Sequence, residues 1–306
     1  MIKKFIHIIS WFFFILFWAN NINAQQLPIY GQFYLNQYIN NPAFAGKESH
    51  FNVTSNHRYQ WVGITDAPRT YTLSVNGPTK DLKGGLGGFL YTDHVGPTRR
   101  TGAQLSYTHH LKINEKIKLA LSLSAGLIEW NIDGGKISLD DMGDPAMSNM
   151  LMKTLVPDAK FGFLLYGDNW HFGAAAPNLL QNQLKLSNIT GSSSALNKLE
   201  DHYLIHAGYN YVLNSDFTID PYLIVRYVSP APIQVEFISR VIWKNMVWAG
   251  VGYRTNDAAS IMLGYTFKEN LSIGYSYDFT TSNLNNYSSG SHGFIFRILF
   301  NQGSEE

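Results

Sequence analysis

The clearest pattern in the sequence is an alternation of apolar and polar residues near its C-terminal end. Residues 270–280 alternate without a break, and residues 291–300 repeat the pattern. Successive side chains of a β-strand point to opposite sides, so each stretch predicts a strand with one apolar and one polar face. A soluble sandwich would turn the apolar face inward, whereas a membrane barrel would turn it outward to lipid. The apolar positions are Leu271, Ile273, Tyr275, Tyr277, Phe279, Phe294, Phe296, Ile298 and Phe300.

The same alternation predicts fourteen strands after residue 50. Several of them are longer than strands of soluble sheets and match the roughly 9–11 tilted residues that cross a bilayer. One segment fits poorly, because Pro221 and Arg226 interrupt a nearly continuous apolar run in residues 217–228, and we expect it to be bent or covered. The predicted strands are 51–60, 69–77, 85–94, 100–112, 116–132, 158–166, 169–176, 202–213, 217–228, 233–243, 246–254, 258–267, 270–280 and 291–300.

The connections between these strands fall into two classes. Those after even-numbered strands are short and polar, as in 79–83 and 268–270. The long ones, 133–157, 177–201 and 281–291, all follow odd-numbered strands. Short turns at one rim and long loops at the other are typical of outer-membrane barrels. The sequence therefore favours an all-β fold, a transmembrane antiparallel β-barrel of about fourteen strands, over a soluble sandwich.

Composition agrees with a membrane protein. Charged residues make up 15% of the chain, aromatic residues 14%, and there is no cysteine. Low charge with many aromatic residues fits a surface that meets lipid and its headgroups. The net charge of +1 gives no electrostatic reason to expect nucleic acid as a partner, and the lack of cysteine excludes disulfides and thiolate metal sites.

The N-terminal region predicts export. Lys3 and Lys4 precede an apolar run over residues 5–18, and Ala24 ends a candidate cleavage site, so we expect residues 1–24 to be a cleaved signal peptide. Residues 25–50 then have apolar residues at helix-like spacings, interrupted by Asn-Asn-Pro at 40–42. We expect this segment to lie under or inside a barrel formed by residues 51–301 in the outer membrane.

Several motifs contain residue types found in chemical sites, but none predicts a catalytic, metal or cofactor site. His202 and His206 share a strand face, but four residues of strand separate them by roughly 13 Å. Serine, histidine and asparagine are plentiful, yet no spacing identifies a hydrolase. The carboxylates of residues 140–144 lack the ligand spacing of a calcium loop. The glycines of residues 84–88 are expected to bend a strand or to let the N-terminal segment approach the wall closely.

Several stretches between residues 30 and about 110 resemble a known family. Residues 32–46 end in Asn41-Pro42-Ala-Phe-Ala-Gly46, and residues 58–61 read Arg58-Tyr-Gln-Trp61, followed by Pro-Arg-Thr-Tyr at 68–71. In this order and spacing they resemble the PorP/SprF family of outer-membrane proteins associated with type IX secretion in Bacteroidetes. Phe44 stands where the family usually has tyrosine.

The resemblance implies a non-enzymatic accessory barrel without cofactors. Its implied partners are a secreted adhesin or its C-terminal signal domain, periplasmic components of secretion or gliding, and outer-membrane lipid. The candidate structural or partner-binding residues are Asn41, Pro42, Gly46, Arg58 and Trp61. Arg58 and Trp61 could hold the N-terminal segment or a client, or they could pair with a lumen carboxylate and sit in an aromatic girdle. Alternative functions are a diffusion porin, a lipid or solute transporter, or a hydrolase.

Overall fold

The computed structural model describes residues 29–137, 151–180, 183–187, 193–198, 202–229 and 231–300. The predicted signal peptide and the first residues of the 25–50 segment lie outside this range. The described strands form a closed antiparallel barrel, in which the last strand pairs with the first through register partners such as Phe51 and Phe300. The predicted fourteen-stranded barrel is therefore confirmed.

The strand boundaries follow the predicted segments closely. Strands β10 and β11 act as one barrel strand that is interrupted at Asn210, and β8 and β9 form a separate hairpin within the connection from β7 to β10. The strands are β1 (Phe51–Tyr59), β2 (Arg69–Pro78), β3 (Gly84–Val95), β4 (Thr98–Lys112), β5 (Lys118–Asp133), β6 (Leu151–Tyr166), β7 (Trp170–Ala176), β8 (Gln183–Ser187), β9 (Ser193–Lys198), β10 (His202–Tyr209), β11 (Tyr211–Val212), β12 (Phe217–Val228), β13 (Gln234–Trp243), β14 (Val247–Arg254), β15 (Ala258–Phe267), β16 (Leu271–Thr280) and β17 (Ser291–Phe300).

The apolar face of the strands points outward, as the alternation predicts for a membrane barrel. Leu105 and Leu123 expose 74% and 61% of their surface, whereas Ser106 and Ser124 between such residues are buried. A band of exposed leucine, isoleucine, valine and aromatic side chains surrounds the barrel, which is favourable only against hydrocarbon. Two stacked sheets with these residues between them are therefore excluded. Among the described residues no helix is long and apolar enough to span a membrane.

The two rims differ, and we name them by their connections. The turn end carries the short connections 79–83, 113–117, 167–169, 213–216, 244–246 and 268–270, and both β1 and β17 have their outer termini there. The loop end carries the longer connections 60–68, 177–201 and 281–290, together with the region between β5 and β6. The sorting of the connections that the sequence predicts is therefore present in the structure.

Strand β6 begins earlier than the sequence predicts. It starts at Leu151 instead of residue 158, so the expected loop 133–157 is shorter. The prediction of a loop over residues 151–157 was wrong, because these residues continue the antiparallel pairing with β5 as far as Asp133. The remainder of this loop, residues 138–150, lies outside the described residues and includes the carboxylates at 140–144.

Candidate functional site: a plug inside the barrel

Residues 29–49, which we call the plug, lie inside the barrel. They form three single-turn 3-10 helices, Phe33–Leu35, Gln37–Ile39 and Pro42–Phe44. The predicted segment is thus inside the lumen, but its helix-like spacing does not give a continuous helix. Asn36, with a φ of −138°, and Asn41, with a φ of −137°, both have non-helical backbone. They therefore separate the first turn from the second and the second from the third.

Asn41 anchors the middle of the plug. Its Oδ1 accepts a hydrogen bond from the backbone N–H of Ala43 at 3.0 Å, which caps the third turn, and Pro42 occupies the first helical position. Its Nδ2 donates to the carbonyl oxygens of Phe163 at 2.9 Å and Ala174 at 3.3 Å and lies 2.9 Å from Nε2 of His206. One fully buried amide therefore both shapes the plug and joins it to β6, β7 and β10.

Polar plug side chains also reach the opposite half of the wall. Asn36 donates to Oδ1 of Asn56 and to Oγ of Ser74, both at 2.9 Å, which joins the plug to β1 and β2. Gln32 donates to the carbonyl of Gly293 on β17 at 3.1 Å. Since all three plug side chains, Gln32, Asn36 and Asn41, are almost fully buried, these bonds satisfy polar groups that have no access to water.

The plug carbonyls are also bound. Oγ1 of Thr108 donates to the carbonyl of Pro42 at 2.9 Å, and Nζ of Lys160 donates to the carbonyl of Ile39 at 3.0 Å. The imidazole Nε2 of His110 lies 2.8 Å from the carbonyl oxygen of Ala45. The carbonyl of Pro42 also accepts a hydrogen bond from the backbone N–H of Ala45 within the third turn at 3.0 Å, so the barrel wall adds to the plug's own hydrogen bonding.

Gly46 lies where the plug leaves the lumen beside β3. Its φ of +75° is in the left-handed region, and a Cβ there would lie 2.6 Å from the carbonyl oxygen of Gly84. A Cβ on Gly85 would overlap the Ala45 carbonyl, and one on Gly87 would overlap the Tyr38 ring. The glycines of residues 84–88 therefore allow the N-terminal segment to approach β3 closely, as the sequence predicts.

An apolar patch on the lumen wall explains the segment that fitted the alternation poorly. Strand β12 is regular, with Pro221 pointing outward, but Tyr222 and Ile224 point inward and are buried. They pack against Phe33 of the plug, whose ring centroid is 5.0 Å from that of Tyr222. The apolar run is therefore covered, which is one of the two outcomes expected, and its pairing with β13 continues without a register shift. The other members of this cluster are Tyr34, Leu35, Ile238, Trp248, Met262 and Ile295.

Arg58 belongs to a buried network of charges on the lumen wall. Its Nη2 and that of Arg254 each donate to Oδ2 of Asp278 at 2.8 Å. Arg254 also lies 3.7 Å from Glu236, which in turn is paired with Arg226 at 2.7 Å. Arg58 thus pairs with a lumen carboxylate, as one of the two readings of the sequence expected. It also lies beside the plug, since a Cβ on Gly31 would be 3.2 Å from its Nη1.

Trp61 lies outside the lumen, in the connection between β1 and β2 at the loop end. Its backbone has a left-handed φ of +49°, and its N–H donates to Oγ of Ser291 at 3.0 Å. The structure therefore separates Trp61 from Asn41, Pro42 and Gly46, which lie along the plug. Arg58 is the one candidate residue that lies on a strand of the barrel wall, in β1.

The contact of His171 with His206, next to Asn41, is a part of the site that the sequence does not reveal. His171 and His206 have ring centroids 5.7 Å apart, and Phe44 of the plug lies against both at 5.2 and 5.3 Å. His171 carries no motif, and only the pairing of β7 with β10 brings it beside His206. In the described part of the chain no group of three or more histidine, aspartate or glutamate side chains is placed to hold a metal ion.

The plug separates two cavities. The loop-end cavity, about 70 Å³ in volume, is lined by Ile29 and Tyr30 at the start of the plug. The turn-end cavity, about 480 Å³, is lined by Lys47, Glu48 and His50 at its other end. There burial lowers the pKa of His50, whereas Lys47, 3.2 Å from Glu48, holds the pKa of that carboxyl below its usual value against the effect of burial.

Known barrels share this architecture. The structure is similar to the CymD monoaromatic hydrocarbon channel, with a TM-score of 0.51 and 11% identity over 91% of this chain and 96% of that one. It is also similar to Omp33 of Acinetobacter baumannii, with a TM-score of 0.48 and 8% identity over 83% of this chain and 100% of that one. At 11% identity the likeness to CymD shows the fold alone.

Sequence comparison shows the family. No curated protein matches the chain. The family model described as type IX secretion system membrane protein PorP/SprF matches residues 22–298, which covers the plug and nearly the whole barrel. The chain therefore belongs to the PorP/SprF family of type IX secretion system membrane proteins.

Proposed function

We propose that this protein is a non-enzymatic accessory component of type IX secretion that supports the secretion or surface attachment of a partner adhesin. In this proposal it reaches the outer membrane after removal of a signal peptide at residues 1–24. Family membership supports the secretion role. The partner would be a secreted adhesin or its C-terminal signal domain.

The observation that carries the proposal is the plug. Residues 29–49 contact strands on all sides of the lumen through buried hydrogen bonds and an apolar cluster. A barrel filled in this way has no wide water-filled channel, so its partners would bind at the two rims. The client would bind at the loop end, through the connection from β5 to β6 and the connection from β7 to β10. Periplasmic secretion or gliding components would bind residues 46–50 and the short turns.

The proposal is tested by deleting the gene and measuring display of a co-encoded adhesin on intact cells with an antibody. We expect display to be lost, and to return when the wild-type gene is supplied in trans. Uptake of small solutes should not change, because the plug leaves no wide path to lose. Normal adhesin display in the deletion strain would contradict the proposal.

The alternative function is a diffusion porin or a lipid or solute transporter. It requires a route past the plug, and the buried bonds of Asn36 and Asn41 would have to break for a wide route to open. A pore would also be expected to line its lumen with charges facing water. In the described lumen Arg58, Arg226 and Arg240 are instead each paired with a carboxylate.

A further inference from the structure

The loop-end cavity carries an unusual set of polar groups. It lies between the start of the plug and the wall, and Pro177 and Pro232 of the neighbouring connections line its outer part. Its volume of about 70 Å³ exceeds the space needed for a single water molecule. Arg100, Asp158 and Lys160 line it on the wall side.

Among the residues that line this cavity positive charges outnumber negative ones, although Asp93, which does not line it, is the register partner of Arg100 on β3. Arg226 also lines it, but that side chain is paired with Glu236 at 2.7 Å. Asp158 is then the only lining carboxylate that could balance the positive charges of Arg100 and Lys160. It is held by Gln104, whose Nε2 donates to Oδ2 at 2.6 Å. One positive charge therefore remains without a matching anion among the lining residues.

The side chain of Arg100 is held in place, but not all of its N–H donors have a hydrogen-bond acceptor in the described chain. Its Nε donates to the hydroxyl of Tyr91 at 2.9 Å, and its guanidinium lies 5.2 Å from the Tyr91 ring and 5.7 Å from the Trp130 ring. No residue that the structure describes accepts a hydrogen bond from its two terminal amino groups. A planar guanidinium fixed in this way is suited to bind a carboxylate through two hydrogen bonds.

Two buried polar atoms of the lining residues also lack partners within the described chain. They are the donor Nδ2 of Asn40 and the acceptor Oδ1 of Asp158, in residues that are 6% and 3% exposed. An unpaired buried donor and acceptor are unfavourable, so a ligand that supplies both complementary groups would gain from binding here. The same cavity has apolar walls at Phe89 and Leu204.

We propose that this cavity binds an amino-acid-type carboxylate, meaning a carboxylate with an N–H group on the neighbouring carbon. The carboxylate would bind Arg100, Lys160 and Asn40, the N–H would donate to Asp158, and a small apolar side chain would contact Phe89. This inference goes beyond the proposed function and does not depend on an adhesin partner. The ligand could be a free amino acid or the C-terminal end of a peptide, since both carry this chemistry.

The test uses the whole purified protein in detergent and a carboxylate-free buffer. Isothermal titration calorimetry compares N-acetylalanine with N-acetylalanine amide, which differ only in the charged group. We expect the acid to bind about tenfold more tightly than the amide, with a change in tryptophan fluorescence because Trp130 lies against Arg100. Equal binding of acid and amide, or no binding of either, would overturn the proposal without any variant.

Variants locate the site. Arg100→Gln should remove the preference for the acid, whereas Arg297→Gln, which lines the turn-end cavity, should leave it unchanged. Should Arg100→Gln fail to fold, Arg100→Lys keeps the charge and should still weaken binding of the acid. An acid preference unaffected by either Arg100 variant would refute this site. Free alanine and an acetylated tripeptide that ends in alanine then distinguish the two sources, since the tighter ligand identifies its class.

Discussion

The side-chain amide of Asn41 lies 2.9 Å from Nε2 of His206, and this contact joins the plug to β10. The two residues are 165 positions apart, so the contact exists only when the barrel has closed around the plug. Phe44 stacks on the same imidazole, with ring centroids 5.3 Å apart. Plug and barrel are therefore expected to be stabilised together.

Asn41→Ala should weaken the attachment of the plug. The change removes the cap of the third turn and leaves the carbonyl of Phe163 without its side-chain donor, so we expect a loss of about 2–4 kcal/mol. The free energy of unfolding in urea, followed by tryptophan fluorescence in detergent, measures it. Asn286→Ala is the control, because Asn286 is exposed and should change stability by less than about 0.5 kcal/mol. Equal effects of the two variants would show that Asn41 is not an anchor.

The barrel could be predicted from the sequence because one face of each strand meets lipid and the other meets the polar lumen. This difference appears in the sequence as an alternation of apolar and polar residues. The alternation of apolar and polar residues is lost where the plug covers the inner face of β12. There Tyr222 and Ile224 are apolar on the inner face, and the outer face is apolar as well. The ambiguity of this strand was thus the sequence signal of a filled lumen. Sequence alone cannot pair that patch with Phe33, because their contact depends on the path of the plug through the closed barrel.

The candidate site was predictable only in part. Asn41, Pro42 and Gly46 were found from a motif, and the structure gives each a local reason in capping, in the turn and in close backbone approach. His171 and Arg100 carry no motif. Their importance comes from neighbours on other strands or on the plug, which spacing along the chain does not reveal.

Gly85→Ala should disturb the exit of the plug. A Cβ at this position would overlap the carbonyl of Ala45, and backbone on both sides cannot move aside cheaply, so we expect destabilisation of about 1–3 kcal/mol. Gly88→Ala is a matched control on the same strand, because its Cβ would meet only Cδ2 of Leu105 at 3.5 Å. The folded fraction is read from the mobility shift of unheated samples on denaturing gels. Equal folded fractions for both variants would contradict the close approach.

Asp278→Asn should be among the most destabilising single substitutions in the lumen. It leaves the guanidinium groups of Arg58 and Arg254 buried with one fewer negative charge, which we expect to cost about 3–5 kcal/mol. Asp133→Asn breaks the exposed pair with Lys136 at 3.9 Å and should cost less than about 1 kcal/mol. Urea unfolding of both variants provides the measurement. A mild effect at Asp278 would show that water enters this network.

The plug also makes a prediction about transport. We expect the purified barrel to show no steady ion conductance in planar bilayers, because the plug fills the lumen between the loop-end cavity and the turn-end cavity. Asn41→Ala should increase the frequency of brief openings, since it releases the plug from β6 and β7 at Phe163 and Ala174. Asn286→Ala should behave as the wild type. Steady conductance of the wild-type protein would instead favour the diffusion porin, because a continuous water path would then have to exist beside the plug.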